Sequence, residues 1–306
     1  MFAHTIVQID KSTYRFAYFC AYCFYKFPFI IMYYQRLQKS LYFLLLLLGS
    51  QTVASAQNTI KITAAKTIDS NKVDLMLTDN RHLLIDFYGE NIFRLFVDSV
   101  GKTFRAPEAK PAAQILVDQP RRPVGAVKLA DTGEAISIST QKVNIRFDKN
   151  NGLFKITNLV TGKTVIEAIK PFSVENDRAS LALKEHAEEY FFGGGVQNGR
   201  FSHKGKVVAI ENQNSWTDGG VASPNPFYWS TNGYGIMWYT FKKGKYDFGA
   251  AQKGEVSLYH ETNYLDLFFM GDDGGVALLN DFYQLTGNPV LLAKFAFYEG
   301  HLYAYN

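Results

Sequence analysis

Ala135-Ile136-Ser137-Ile138-Ser139, Val143-Asn144-Ile145-Arg146-Phe147 and Phe154-Lys155-Ile156-Thr157 alternate apolar and polar residues with a period of two. That period puts successive side chains on opposite faces, as in a half-buried strand. Between the last two segments, Asp148-Lys149-Asn150-Asn151-Gly152 suits a hairpin connection, because Asn-Gly tolerates positive φ at low steric cost. The same alternation recurs on the N-terminal side at Thr59–Thr63, Arg81–Phe87 and Ile92–Asp98, with Gly, Asn, Asp and Pro turns between. On the C-terminal side, long aromatic strands stand at Tyr234–Phe241 and Tyr264–Met270, and no strong helical stripe precedes Asp281. Many short strands separated by turns predict an all-β fold, a large antiparallel β-sandwich over residues 57–280.

The last stretch differs. Leu278–Gly287 reads as a short helix stopped by Gly287 and punctuated by Pro289. Lys294-Phe295-Ala296-Phe297-Tyr298 follows as an apolar strand. One strand with an open edge is not a domain. Residues 281–306 therefore read as a hinge and the start of a larger unit.

The N-terminus reads as targeting sequence. Residues 32–56 have the order of a signal peptide: basic Arg36 and Lys39, apolar Leu41–Leu48, then Ala54-Ser55-Ala56 as a cleavage site. The apolar run is much shorter than the roughly 20 residues a membrane-spanning helix needs. Small and polar residues follow it where a stop-transfer helix would place basic ones. The expectation is export to the periplasm or beyond, with no stable membrane anchor. Residues 1–31 then read as upstream sequence translated ahead of a start at Met32. Both cysteines, Cys20 and Cys23, fall there without a second pair or a histidine partner.

Of the 32 Lys/Arg and 28 Asp/Glu, five and one lie in the first 56 residues, so residues 57–306 carry 27 of each. The formal charge of +4 thus belongs to the leader and gives no sign of a nucleic-acid partner. His82, His186, His203 and His260 show no paired spacing, so no metal or other cofactor is expected.

Three segments carry a resemblance. The first is Phe191-Phe192-Gly193-Gly194-Gly195-Val196. The second runs from Asn214-Ser215-Trp216-Thr217-Asp218 to Pro226-Phe227-Tyr228-Trp229-Ser230-Thr231. The third is Phe282-Tyr283-Gln284-Leu285-Thr286-Gly287-Asn288-Pro289 with Leu292-Ala293-Lys294-Phe295. In this order they resemble glycoside hydrolase family 31, through its Y/F-G-x-G element, its W-N-x-D loop with P-F-Y-x-S strand, and its Y-x-x-L-T-G-x-P hinge. Ala293 stands where that family usually has proline. The resemblance implies a galactose-mutarotase-like sandwich, then a hinge helix and the first strand of a (β/α)8 catalytic barrel that continues beyond this chain. It also implies a retaining hydrolysis of α-linked glycosides, of α-glucosidase or α-galactosidase type, by two aspartates ~5 Å apart. Both sit on later barrel strands, so no catalytic residue is assigned in this chain.

The resemblance brings the Trp216–Asp218 loop to the mouth of the active site. An aromatic face can stack on a sugar, and a carboxylate can accept two hydroxyls. The same residues also suit a turn packed on its own sandwich, and both readings stand. Glu299 and His301 would face the substrate if the final strand opens a barrel; otherwise they are exposed terminal residues. Gly193–Gly195 reads as close backbone approach or positive φ rather than a phosphate cradle, because β-like sequence follows where a helix would be needed. His203, within Ser202-His203-Lys204-Gly205, reads as a hairpin residue. The expected partners are an α-linked oligosaccharide and the catalytic barrel, so this portion alone is expected to be inactive. The alternative is a free-standing carbohydrate-binding module or a mutarotase-like protein, which would need its own acid and base, commonly a His and a Glu.

Overall fold

A computed structural model describes residues 60–98, 114–197, 199–213, 220–291 and 293. The leader segments 1–31 and 32–56 and the final strand Lys294–Tyr298 lie outside the described residues. The first four strands, β1 (Ile62–Thr67), β2 (Lys72–Leu77), β3 (His82–Gly89) and β4 (Ile92–Asp98), form an antiparallel meander. The next five make a sheet of their own, in chain order: β5 (Lys128–Asp131), β6 (Ala135–Ser139), β7 (Val143–Asp148), β8 (Phe154–Asn158) and β9 (Thr164–Glu167).

The remaining nine strands divide between two sheets. They are β10 (Ser173–Val174), β11 (Ala179–Lys184), β12 (Phe191–Gln197), β13 (Val207–Ile210), β14 (Val221–Ser230), β15 (Tyr234–Trp238), β16 (Gly244–Phe248), β17 (Glu255–His260) and β18 (Tyr264–Gly271). Four of them extend the first meander to eight strands in the order β1-β2-β3-β4-β18-β15-β14-β12, and the others form a five-stranded sheet, β10-β11-β17-β16-β13.

Alternation places the core. On β6, β7 and β8 the residues Ile138, Ile145 and Ile156 turn inward, while Arg146 and Lys155 stay exposed. The inward faces of all three sheets share one apolar cluster, with Leu75 and Phe93 from the large sheet meeting Phe147 and Phe154, and Leu181 and Leu258 from the other five-stranded sheet. Burying each such side chain stabilises by roughly 1.5–3 kcal/mol. The expected hairpin forms: Gly152 has φ of 69° and donates its N–H to the Asp148 carbonyl at 2.9 Å.

The large sheet is also buried on its outer face. Every residue of β18 is buried: Leu265, Leu267 and Phe269 point into the shared core, while Phe268 and Met270 point outward. Outward, helix α1 (Gly275–Thr286) covers them through Leu278 and Leu285. Asp266, on the outward side of the same strand, is matched by Arg94 on β4 through two charge-assisted hydrogen bonds of 2.7 and 2.6 Å. Helix α1 begins three residues before the expected Leu278, because Gly274 at its N-cap supplies no side-chain cap and so leaves no signal in the sequence. The first strand also shifts, from the expected Thr59–Thr63 to Ile62–Thr67. It is an edge strand with Ile62 as its one fully buried residue, so tertiary pairing to β2 rather than alternation sets its register.

Candidate functional site

Residues 214–219, with Trp216 and Asp218, lie outside the described residues, but both flanks of that loop are described. β13 ends at Ile210 before it, and β14 starts at Val221 after it. The first half of β14 is seated against β12, where the three glycines sit. Gly193, Gly194 and Gly195 all have positive φ, at 112°, 75° and 91°, and the β12–β14 register shifts between Gly193 and Gly195. A Cβ at Gly195 would lie 1.9 Å from the Ser223 carbonyl oxygen, and one at Gly193 would lie 2.6 Å from that of Phe227. Side chains are thus excluded twice, by backbone conformation and by space. The glycines lie in a paired strand with no helix opening on them, which removes the phosphate-cradle reading.

The carbonyls of this bulge are held. His203 donates from Nε2 to the Gly193 carbonyl at 2.8 Å, and Gln197 donates its side-chain amide to the Gly194 carbonyl at 3.1 Å. Burial lowers the His203 pKa, so the ring is a neutral structural donor packed on Phe248. His260 is likewise structural. It is completely buried, with Nδ1 on the Lys242 carbonyl at 2.8 Å and Nε2 at 3.0 Å from the Tyr246 hydroxyl, and burial depresses its pKa to about 4.

The second half of β14 uses its two faces differently. Tyr228 and Ser230 point into the sandwich. There the Ser230 hydroxyl donates to Glu189 at 2.5 Å, and the other oxygen of that buried carboxylate accepts the His186 N–H at 2.9 Å. Burial pushes the Tyr228 and Tyr234 hydroxyl pKa values well up, so both stay protonated. Phe227 and Trp229 point outward. Phe227 stacks on Phe282 of α1 at 4.1 Å and 15°, and Trp229 stacks on Phe192 at 4.5 Å and 24°. Phe201 meets Phe192 edge-on and is almost fully exposed.

The hinge motif is anchored residue by residue. The Gln284 amide donates to the carbonyls of Tyr88 and Pro120, both at 2.9 Å, and the Leu285 carbonyl accepts the Val117 N–H at 2.9 Å. Gly287, with φ of 90°, closes the helix through its N–H to the Tyr283 carbonyl. Asp281 faces the sheet beside Leu278 and Leu285, with Asn91 donating a hydrogen bond to it at 2.6 Å and Arg122 forming an ion pair with it at 3.5 Å. Desolvation first, and the nearby Asp272 carboxylate second, raise its pKa to about 6.

Of the four site residues named from sequence, the structure therefore brings none together; Glu299 and His301, like Trp216 and Asp218, lie outside the described residues. It describes instead the supports on either side of them. Sequence reading missed Glu189 and Asp281 as buried carboxylates. For Asp281 a signal existed: it occupies the apolar stripe of α1, three residues after Leu278 and four before Leu285. Among the described residues, no group of three His, Cys, Asp or Glu side chains converges as a metal site.

The three antiparallel sheets and the capping helix define a galactose-mutarotase-like β-sandwich. Residues 82–247 match the family model of the glycosyl hydrolase 31 N-terminal galactose mutarotase-like domain, and the chain belongs to that family. No curated protein matches it. Among solved structures it is similar to the family 31 dextranase of Flavobacterium johnsoniae solved with isomaltotriose, at 19% identity and a TM-score of 0.69, over 78% of this chain and 30% of that one. The cycloalternan-forming enzyme of Listeria monocytogenes in complex with a pentasaccharide substrate gives 17% identity and a TM-score of 0.65, over 78% of this chain and 23% of that one. A family 31 α-xylosidase from a soil metagenome, complexed with xylose, gives 18% identity and a TM-score of 0.59, over 74% of this chain and 35% of that one. At these identities the likeness is one of fold, and this chain spans about a quarter to a third of each neighbour's length.

Proposed function

We propose that this chain is the N-terminal, carbohydrate-contacting portion of an exported glycoside hydrolase acting on α-linked glycosides. The observation that carries the proposal is the family match over residues 82–247 together with a fold that aligns to 30% of a dextranase. In the proposed whole enzyme, a barrel following the hinge supplies two aspartates, one as nucleophile and one as acid and base, in a retaining mechanism. The bulged β12–β14 pair fixes the exit of the 214–219 loop. That loop presents Trp216 as a stacking surface and Asp218 as a hydroxyl acceptor at the mouth of the site. Glu299 and His301, at the end of the first barrel strand, line the sugar subsite. The signal-like segment 32–56 supports export. Val276, Val290 and Leu291 stand exposed around α1, consistent with a surface that a following domain covers.

A panel of nitrophenyl α-glycosides tests this, assayed with residues 57–306 and with a version extended through the barrel. Turnover by the extended protein alone is expected, and the sugar hydrolysed names the substrate class. Comparable turnover by the shorter protein would place a catalytic pair within the sandwich and overturn the proposal. In the extended enzyme, Trp216→Ala is expected to raise KM roughly tenfold, the loss of one stacking contact.

A further inference from the structure

A depression of about 280 Å³ lies on the outer face of the five-stranded sheet β10-β11-β17-β16-β13, a different sheet from the one that carries the β12–β14 bulge. It follows from which residues face outward there. Ser257 on β17 stands directly opposite Ala182 on β11 and Asp247 on β16. Of these, Ser257 and Asp247 line the depression, and their short side chains leave a low floor. Longer ones rise around it: Tyr259 with Lys245 across the strand pair, Arg178, Gln252 and Glu255.

The rim mixes hydrogen-bonding types evenly. Arg178, Lys245 and Gln252 bring donors, Asp247 and Glu255 bring acceptors, and Ser257 is both. Of the lining groups, two cations face two carboxylates, and Lys170, just outside the lining, pairs with one of those carboxylates, Glu255. An anion such as phosphate would meet both carboxylates, and an apolar ligand would find no aliphatic side chain larger than alanine. A dense set of hydroxyls, each able to donate and accept, fits the balance.

The rim is also largely fixed before anything binds. The Arg178 guanidinium lies 3.9 Å from the centre of the Tyr259 ring, so a long flexible side chain is already placed. Lys170 holds both oxygens of Glu255 at 2.8 Å, and the Ala250 N–H holds Asp247 at 2.7 Å. Pre-placed groups reduce the ordering cost of association. The volume falls just below the ~300–1,000 Å³ of pockets that engulf a ligand, which suits a single ring resting in a shallow dish.

We infer that this depression binds one uncharged pyranose unit of an oligosaccharide, at a place separate from the 214–219 loop. The inference stands whether or not the chain works as part of a glycosidase. Amide chemical shifts of the full chain test it, titrated in turn with methyl α-glucopyranoside, methyl α-galactopyranoside, glucuronate and inorganic phosphate. The expected result is a saturable shift of the Gln252, Ser257 and Tyr259 amides with a neutral glycoside, at a Kd of about 1 mM. Ser257→Trp, which fills the floor, is expected to weaken that binding about tenfold or more, and the exposed Gln252→Ala about threefold. The inference is overturned if no neutral glycoside saturates these shifts up to about 100 mM. Saturation by glucuronate or phosphate alone would also overturn it, as would affinity unchanged in both variants.

Discussion

The β6–β7–β8 meander and the β12–β14 pair are both antiparallel and both contribute to one core, yet they are built differently. In the meander the registers of β6 with β7 and β7 with β8 run without a shift, and the inward residues are aliphatic or phenylalanine except for the buried Asn158 at the end of β8. The β12–β14 pair shifts register twice, carries three consecutive glycines at positive φ, and has aromatic rings on both of its faces. Regular alternation yields a wall that could be repacked with other apolar residues of similar volume. The bulged pair cannot be exchanged that way, since its backbone path is set by space and held by His203 and Gln197. The irregular region is also the one next to the candidate loop.

The largest effect expected from breaking this contrast is at the bulge. Gly195→Ala combines positive φ with a contact at 1.9 Å to a backbone oxygen, and about 4 kcal/mol or more of stability should be lost, read as a collapse of the denaturation midpoint. Gly133, at φ of 84° with nothing within 4 Å of an added Cβ, sharpens the comparison: Gly133→Ala should cost only about 1 kcal/mol. Equal losses at the two positions would show that conformation alone, and not close approach, demands glycine in β12.

In the regular wall, Phe154→Ala removes a ring that packs on Phe147 and Phe269, and should cost ~3–5 kcal/mol. Phe154→Leu should recover most of that loss, whereas no larger residue should rescue position 195. Urea denaturation of the three proteins at one pH gives the comparison.

The smallest effect concerns the helix-covered face. Asp281 has a folded pKa of about 6 against an ordinary 3.8, so the folded state binds the extra proton between those values. Its protonated form contributes fully below the unfolded value, and that stability is lost as pH rises through about 6. Asp281→Asn should therefore flatten the fall in melting temperature between pH 5 and 7 by a few degrees, while keeping the Asn91 contact. Parallel wild-type and variant melting curves across that range would contradict the assignment.

The regular part of the fold was legible because its residues obey one rule throughout. Ala135–Ser139 and Ile92–Asp98 form strands with the expected bounds, since burial on one face enforces a period of two. The glycine triplet was legible as a backbone requirement, although its partner, the Ser223 carbonyl, was not, because register shifts leave no mark in composition. The first strand slipped by three residues because an edge strand answers to its neighbour. Asp281 and Glu189 escaped notice because charged residues are assumed to face water, and the groups that justify their burial, Asn91 and Ser230, are 190 and 41 residues away. The four sugar-site residues came from resemblance and were never within reach of periodicity.

The strand order of the large sheet has a consequence in time. β4 pairs with β18, and its Arg94 meets an aspartate 172 residues further along the chain. At a synthesis rate of ~5–20 residues per second, β4 waits roughly 10–30 s for that partner. Through that interval its free edge and the apolar face of β1–β4 are open to other chains, so the hazard during biogenesis depends on elongation speed and holding factors rather than on the strength of the finished sandwich.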